Sequence, residues 1–149
     1  MEYVLGFMFN DVMFDRVVLI RKNRPEWQAG KLNGVGGKIE PGETPEEAMR
    51  REFLEETSLD HRSWHLFTTL TTVEGHVVHC FRARCGSDYW NMIRTVTDET
   101  VVTRPVHELT LLQEGRSCMP NVAWLAPMAL SFYRGERCRS FETAERRGL

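Results

Sequence analysis

Glu52, Glu55 and Glu56 stand at i, i+3 and i+4, a spacing that gathers three carboxylates on one side of a helix, close enough for their charges to repel. The arrangement costs stability unless something positive answers it. A hard divalent ion such as Mg2+ does so: it takes oxygen ligands, keeps several waters, and commonly shares its remaining positions with substrate phosphates. The ordinary alternative is a solvated acidic face beside Arg50 and Arg51, and for a Glu-x-x-Glu-Glu met in isolation that alternative is the stronger one.

The helix that must carry these acids is announced just upstream. Thr44 can cap it, Pro45 suits the first helical position, and Glu47 completes a capping box, so a helix is expected from there to about Ser58. Before it, Arg21 to Glu43 holds Pro25, Gly30, Gly34, Gly36, Gly37, Pro41 and Gly42, the composition of a loop with one short strand inside it. A connection of that length between strong elements is more often functional than idle. Tyr3 to Phe9 and Val17 to Ile20 read as a pair of strands, and Leu66 to Val73 with Val77 to Ala83 as a hairpin around Glu74-Gly75. A further strand is expected at Val101 to Val106, a helical turn at His107 to Gln113, and a last helix from Asn121 to Tyr133 despite Pro127. Residues 134–149 form a charged tail.

The chain has 149 residues, 42% of them hydrophobic, which suits a single domain with a core of its own. Nineteen basic residues against 21 acidic ones leave no basic excess for tracking a nucleic-acid polymer, while a small anionic ligand stays compatible. Cys80, Cys85, Cys118 and Cys138 form no CxxC pair and are expected as idle thiols in a reducing compartment. His76 and His79 are an odd number apart, so on one strand they face opposite ways and make no metal pair. With no basic leader and no apolar run near the roughly 18 residues of a membrane span, a soluble cytoplasmic protein is expected, with no membrane partner, as a monomer or homodimer.

The acids belong to a longer pattern: Gly37, five residues, Glu43, seven residues, then Arg51-Glu52-Phe53-Leu54-Glu55-Glu56-Thr57-Ser58-Leu59. This resembles the Nudix box, G-x5-E-x7-R-E-U-x-E-E-x-G-U with U apolar. Six positions match a single residue type, and chance agreement in a chain of this size is on the order of 1 in 100,000 at ordinary residue frequencies. The resemblance implies an α/β fold: an α/β/α sandwich with a mixed sheet and a loop-helix catalytic motif. It implies metal binding by Glu52, Glu55 and Glu56, with Glu55 or Glu52 as base, and Arg51 and Glu43 bracing the unit. A backbone carbonyl in Gly36-Gly37-Lys38, with Gly37 foremost, would join the metal ligands, and Glu99 from a later loop would be a further metal ligand or base. The cofactor implied is Mg2+, with Mn2+ as substitute. Ser58 departs from the pattern, since glycine usually follows the acidic pair; serine fits a left-handed helix end less easily, so a changed helix termination is expected.

The stretch Lys31 to Glu40 is similar to the MutT-like branch, which removes pyrophosphate from nucleoside triphosphates, including oxidised purine ones such as 8-oxo-dGTP. Asn33 matches an asparagine that touches the purine in that branch, and its amide can both donate and accept. Asn121 matches a second base-contacting position, although a residue there also suits a helix N-cap. Arg21, and with it Lys22 to Arg24, could meet the phosphates, as could Lys38 beside the glycines. Trp27 is either a wall for the base or, more ordinarily, a core residue. Residues 60–103 contain no proline, and Gly75 stands where many dinucleoside polyphosphate hydrolases carry a tyrosine, so signatures of other branches are missing. The alternatives are a hydrolase of ADP-ribose or another nucleoside diphosphate derivative, and a non-catalytic nucleotide-binding module.

Overall fold

The run Val4-Leu5-Gly6-Phe7-Met8-Phe9 has no polar member on either side of its alternation, so as a strand it must bury both faces. In the computed structural model, which describes residues 1–12 and 15–133, this run is the middle of β1 (Glu2–Asn10), and all six residues are buried. The expected tail at 134–149 lies outside the described residues. Further strands are β2 (Arg16–Arg21), β3 (Leu32–Asn33), β4 (Val35–Lys38), β5 (His65–Thr71), β6 (Val77–Cys85) and β7 (Thr100–Pro105). β1 runs parallel to β6 from Glu2↔Val77 to Asn10↔Cys85, and antiparallel to β4 from Tyr3↔Lys38 to Gly6↔Val35. It meets β2 at Phe9↔Val17; β2 in turn pairs with β3 and, along its length, with β7, while β5 pairs antiparallel with β6. The result is a mixed seven-stranded sheet.

Alternation along β1 divides the core in two. Val4 and Met8 join Val18, Ile20 and Phe81 on the face covered by α1 (Pro45–Thr57), through Ala48, Met49 and Phe53. Leu5, Phe7 and Phe9 join Val17 and Leu19 on the other face, covered by α4 (Val122–Ser131) through Val122, Leu125, Ala126 and Ala129. The layers are therefore α/β/α, as expected. Each fully buried Phe contributes on the order of 2 kcal/mol, so the inward stripe Ala48, Met49, Phe53 and Thr57 fixes the rotation of α1 and thereby where its acids point.

The capping box forms as the sequence predicts: the Glu47 N–H donates to Thr44 Oγ1 at 3.2 Å, and the Thr44 N–H donates to Glu47 Oε2 at 2.8 Å. Some expectations need correction. The glycine-rich stretch contains two strands, not one, and a 3-10 turn at Glu26–Gln28, because the chain leaves the flank of β2 at Gly34 and joins β1. A short helix, α2 (Ser87–Trp90), follows β6, and α4 is shorter than expected at both ends. The turn after β7 is a 3-10 turn, Val106–Glu108, leading into α3 (Leu109–Glu114).

A further correction concerns Ser58. It adopts φ 63° and ψ 16°, and its N–H donates to Leu54 O at 2.9 Å. The helix thus ends in the left-handed way that glycine would give, with serine bearing the cost of that region. Ser58→Gly is expected to stabilise the protein by about 0.5–1 kcal/mol, the steric relief being partly offset by glycine's greater unfolded-state freedom. Thermal unfolding of the variant measures this; a lower midpoint would show that the serine side chain contributes something the backbone geometry does not reveal.

Among the described residues no helix is long and apolar enough to cross a membrane. Cys80, Cys85 and Cys118 are free and buried; burial pushes their thiols up to about 12, 11 and 11 respectively, so they stay protonated and unreactive near neutrality.

Candidate active site

Arg51 is the hub of the acidic helix. Its guanidinium donates to Glu43 Oε1 and Oε2 at 2.7 and 2.9 Å, to Glu52 Oε1 at 2.8 Å, to Glu55 Oε2 at 3.4 Å and to the Lys38 carbonyl at 3.1 Å. One planar fork therefore ties the helix to the strand β4 that precedes it and to the loop between them. The hydrogen bond from Arg51 holds Glu43 below the usual carboxylate range. Glu52 behaves oppositely: burial pushes it up, with the hydrogen bond and charge of Arg51 pulling it back only in part. A second positive charge beside Glu52 would favour its ionised form.

Glu52 is packed against Gly37. A Cβ at position 37 would lie 2.2 Å from Glu52 Oε1 and 2.6 Å from Oε2, so the missing side chain is what lets main chain and carboxylate meet. Glu56 donates nothing and accepts from Thr97 Oγ1 at 2.8 Å. Glu55 is the open member, its side chain 56% exposed against 14% for Glu52. Among the described residues no three acidic, histidine or cysteine side chains close around a single point. The donor set nevertheless suits Mg2+ or Mn2+: it is all oxygen, it includes main chain brought close by glycine, and such ions need few protein ligands when waters and phosphates complete the shell.

Gly36 and Gly37 also belong to a cavity of about 730 Å3, bounded by Tyr3, Lys22, Arg24, Trp27, Asn33, His76, Met119 and Asn121 among others. Its size is that of a small-ligand site, and the acidic helix adjoins it at Gly37. Asn33 and Asn121 are both brought to it. The Gly34 N–H donates to Asn33 Oδ1 at 2.9 Å, leaving the amide Nδ2 as the end free to donate. Asn121 precedes α4 but makes no capping bond with its side chain, and its Oδ1 is buried without a partner among the described residues. The N-cap role suggested by the sequence is therefore not performed, and an acceptor is left to a ligand.

Other expected residues are placed differently. Arg21 does not line the cavity; its guanidinium donates to the Gly30 carbonyl at 3.0 Å and braces the turn there. Lys22 and Arg24 line it instead, because successive residues leaving a strand alternate in direction. The Lys38 side chain is exposed and outside the lining, with only its carbonyl engaged by Arg51. Trp27 is 63% exposed at the cavity edge, so core packing is not its role. Glu99 is buried, and both its oxygens are taken: Lys22 Nζ donates to Oε2 at 2.7 Å and the Asn23 N–H to Oε1 at 2.9 Å. His76, set aside as ordinary from its spacing, lines the cavity with its ring edge-on to Tyr3 at 5.7 Å. Neither His76 nor Thr97 carries a local sequence signal, since each is defined by partners on distant strands or helices.

Comparison with known proteins bears on the family and the fold. The family model described as NUDIX domain matches residues 3–126. The chain is 45% identical over 73 residues to the oxidized purine nucleoside triphosphate hydrolase of Danio rerio, covering 46% of each chain. It is 39% identical over 70 residues to the 8-oxo-dGTP diphosphatase of Escherichia coli K12, covering 47% of this chain and 53% of that one. The match thus spans about half the length of these curated relatives. Among solved structures, one of MutT from Aliivibrio salmonicida and Vibrio cholerae superposes with a TM-score of 0.64 at 17% identity, covering 85% of this chain and 95% of that one. A NUDIX-family hydrolase from Clostridium perfringens gives a TM-score of 0.66 at 20% identity, covering 89% and 97%.

Proposed function

The chain belongs to the NUDIX domain family, and from that premise we propose that it hydrolyses a nucleoside triphosphate, with an oxidised purine such as 8-oxo-dGTP as the favoured class, to the monophosphate and pyrophosphate. The observation that carries the reading is the junction at Gly37, where a carboxylate-bearing helix abuts a cavity of nucleotide size that holds two uncommitted amide ends. The names of the matched relatives support the substrate class.

A divalent cation is general to the family; magnesium, with manganese as a substitute, is the ion we assign. Glu52, Glu55, Glu56 and the main chain at Gly37 would hold it, and when bound it supplies neutralisation of the diphosphate charge and activation of water. The protein's own part is positional and acid-base. Arg51 fixes Glu52 and steadies the loop, while Glu55, open to solvent, is the group best placed to accept the proton of the attacking water. Lys22 and Arg24 face the phosphates with positive charge, and Trp27 offers an aromatic wall to the base. Asn33 presents a donor and Asn121 an acceptor, so a purine edge that offers one of each is matched without any group changing its charge.

The test is a product-resolved screen with Mg2+ and with Mn2+ over oxidised and ordinary deoxynucleoside triphosphates, ADP-ribose, NADH and dinucleoside polyphosphates. Pyrophosphate release with the highest kcat/KM on a purine triphosphate is the expected outcome. Preferential cleavage of ADP-ribose would move the assignment to the diphosphate derivatives, and tight nucleotide binding without product would make the protein a binding module.

A further inference from the structure

Resting on the reading just given, we propose that Thr97 is a positioning residue: its hydroxyl orients Glu56 for the cation and ties the acidic helix to the loop that presents Lys22. Thr97 Oγ1 lies 2.8 Å from Glu56 Oε2, 3.1 Å from the Glu99 N and 3.3 Å from the Glu99 O. A hydroxyl has one proton. The Glu99 N–H donates into the oxygen and closes a tight local turn, and the single proton then goes to the nearer, charged acceptor on Glu56.

Among the described residues no other hydrogen bond reaches the Glu56 carboxylate, and its neighbours on α1, Glu52 and Glu55, both lean on Arg51 instead. Freed from Thr97, the Glu56 side chain has several staggered rotamers open to it, and the repulsion of Glu52 favours those pointing away. The other end of the chain of contacts is Glu99, whose carboxylate holds Lys22 Nζ and the Asn23 N–H at the cavity wall. One side-chain oxygen thereby joins α1 to the segment before β7, and through it to the strand end that carries Lys22.

The experiment compares Thr97→Val, which keeps the shape and removes the hydroxyl, with Thr97→Ser, which keeps the hydroxyl. Mn2+ binding is measured directly by calorimetry and by the paramagnetic signal of the free ion, without nucleotide, with Glu55→Gln as the control for the site. Thr97→Val is expected to weaken Mn2+ binding about ten- to a hundredfold, the usual effect of removing a group that orients a ligand, and Thr97→Ser to restore most of it. In the pyrophosphohydrolase assay the loss in Thr97→Val is expected to be recovered largely by raising Mg2+. Unchanged Mn2+ affinity in Thr97→Val, or an equal loss in Thr97→Ser, overturns the positioning role while the site itself stands. Absence of Glu55-dependent Mn2+ binding in the unmodified protein overturns both the role and the functional reading.

Discussion

Glu55→Gln is expected to lower turnover about 10²- to 10⁴-fold, the range for loss of a positioned base, and at the same time to leave the fold as stable as before or slightly more so. The two halves of this result have one cause. Glu55 lies one turn from Glu52 on a helix, where a like-charged pair costs about 0.2–0.5 kcal/mol, and its own link to Arg51 is long, at 3.4 Å and half in solvent. Removing its charge therefore relieves repulsion and forfeits little. A residue kept at a cost to stability is one kept for function. Circular dichroism with thermal melts, alongside pyrophosphate release under saturating Mg2+, reads both halves. Full activity in Glu55→Gln and in the companion Glu56→Gln would remove the carboxylate helix from the chemistry and with it the proposed function.

Gly36→Ala and Gly37→Ala, neighbours of the same type in the same strand, are expected to fail for different reasons. At Gly36 a new Cβ would lie 2.0 Å from the Val4 carbonyl oxygen and 3.0 Å from the Leu5 Cα, both main-chain atoms of the central strand. Backbone held by β6 on its other side cannot move aside, so a destabilisation of about 3 kcal/mol or more is expected. At Gly37 the obstacle is the Glu52 carboxylate, the free end of a side chain, which can swing away. The variant should fold with a loss of about 1 kcal/mol, yet displacing Glu52 breaks its 2.8 Å bond to Arg51, and misplacement of roughly 1 Å in such a site costs on the order of 10²-fold in rate. Soluble expression, melting temperature and kcat separate the two cases. A Gly37→Ala protein that is folded and fully active would show that close approach at Gly37 does not matter to the reaction.

The two outcomes also bear on the inference about Thr97. Glu52 is held from below by Gly37 and from the side by Arg51, Glu56 by Thr97 alone among the described residues, and Glu55 by almost nothing. The three acids thus form a series from fixed to free. Glu55, at the free end where water has access, is the one that can serve the ion and the attacking water together.

Much of this was legible in the sequence because it is local. The capping box, the acidic face and the Gly37 to Glu56 spacing are settled within a few turns of chain, by hydrogen bonds and helical periodicity that neighbouring residues make with one another. The strand Val4 to Phe9 was equally plain, and its lack of polar residues already implied cover on both faces. Ser58 shows the limit of propensity: packing of α1 through Phe53 and the following Leu59 and Trp64 into one core fixes where the helix must end, and the serine takes the left-handed conformation that this demands.

What only the tertiary structure decided is which distant groups meet. Arg21 and Lys22 are indistinguishable as charges, and the register of β2 against β7, from Arg16↔Pro105 to Arg21↔Thr100, fixes the end of the strand beyond which Lys22 turns to the cavity and Glu99. Asn121 could have capped its own helix, and the placement of α4 on the sheet leaves its oxygen buried and unpaired among the described residues. Thr97 lies 41 positions from Glu56 in a stretch with no pattern of its own. The sequence by itself determined the motif, because the acidic helix and the Gly37 to Glu56 spacing are local; the fold determined which groups line the cavity, because a cavity wall is assembled from strand ends and loops whose pairing is long-range and leaves no period in the chain.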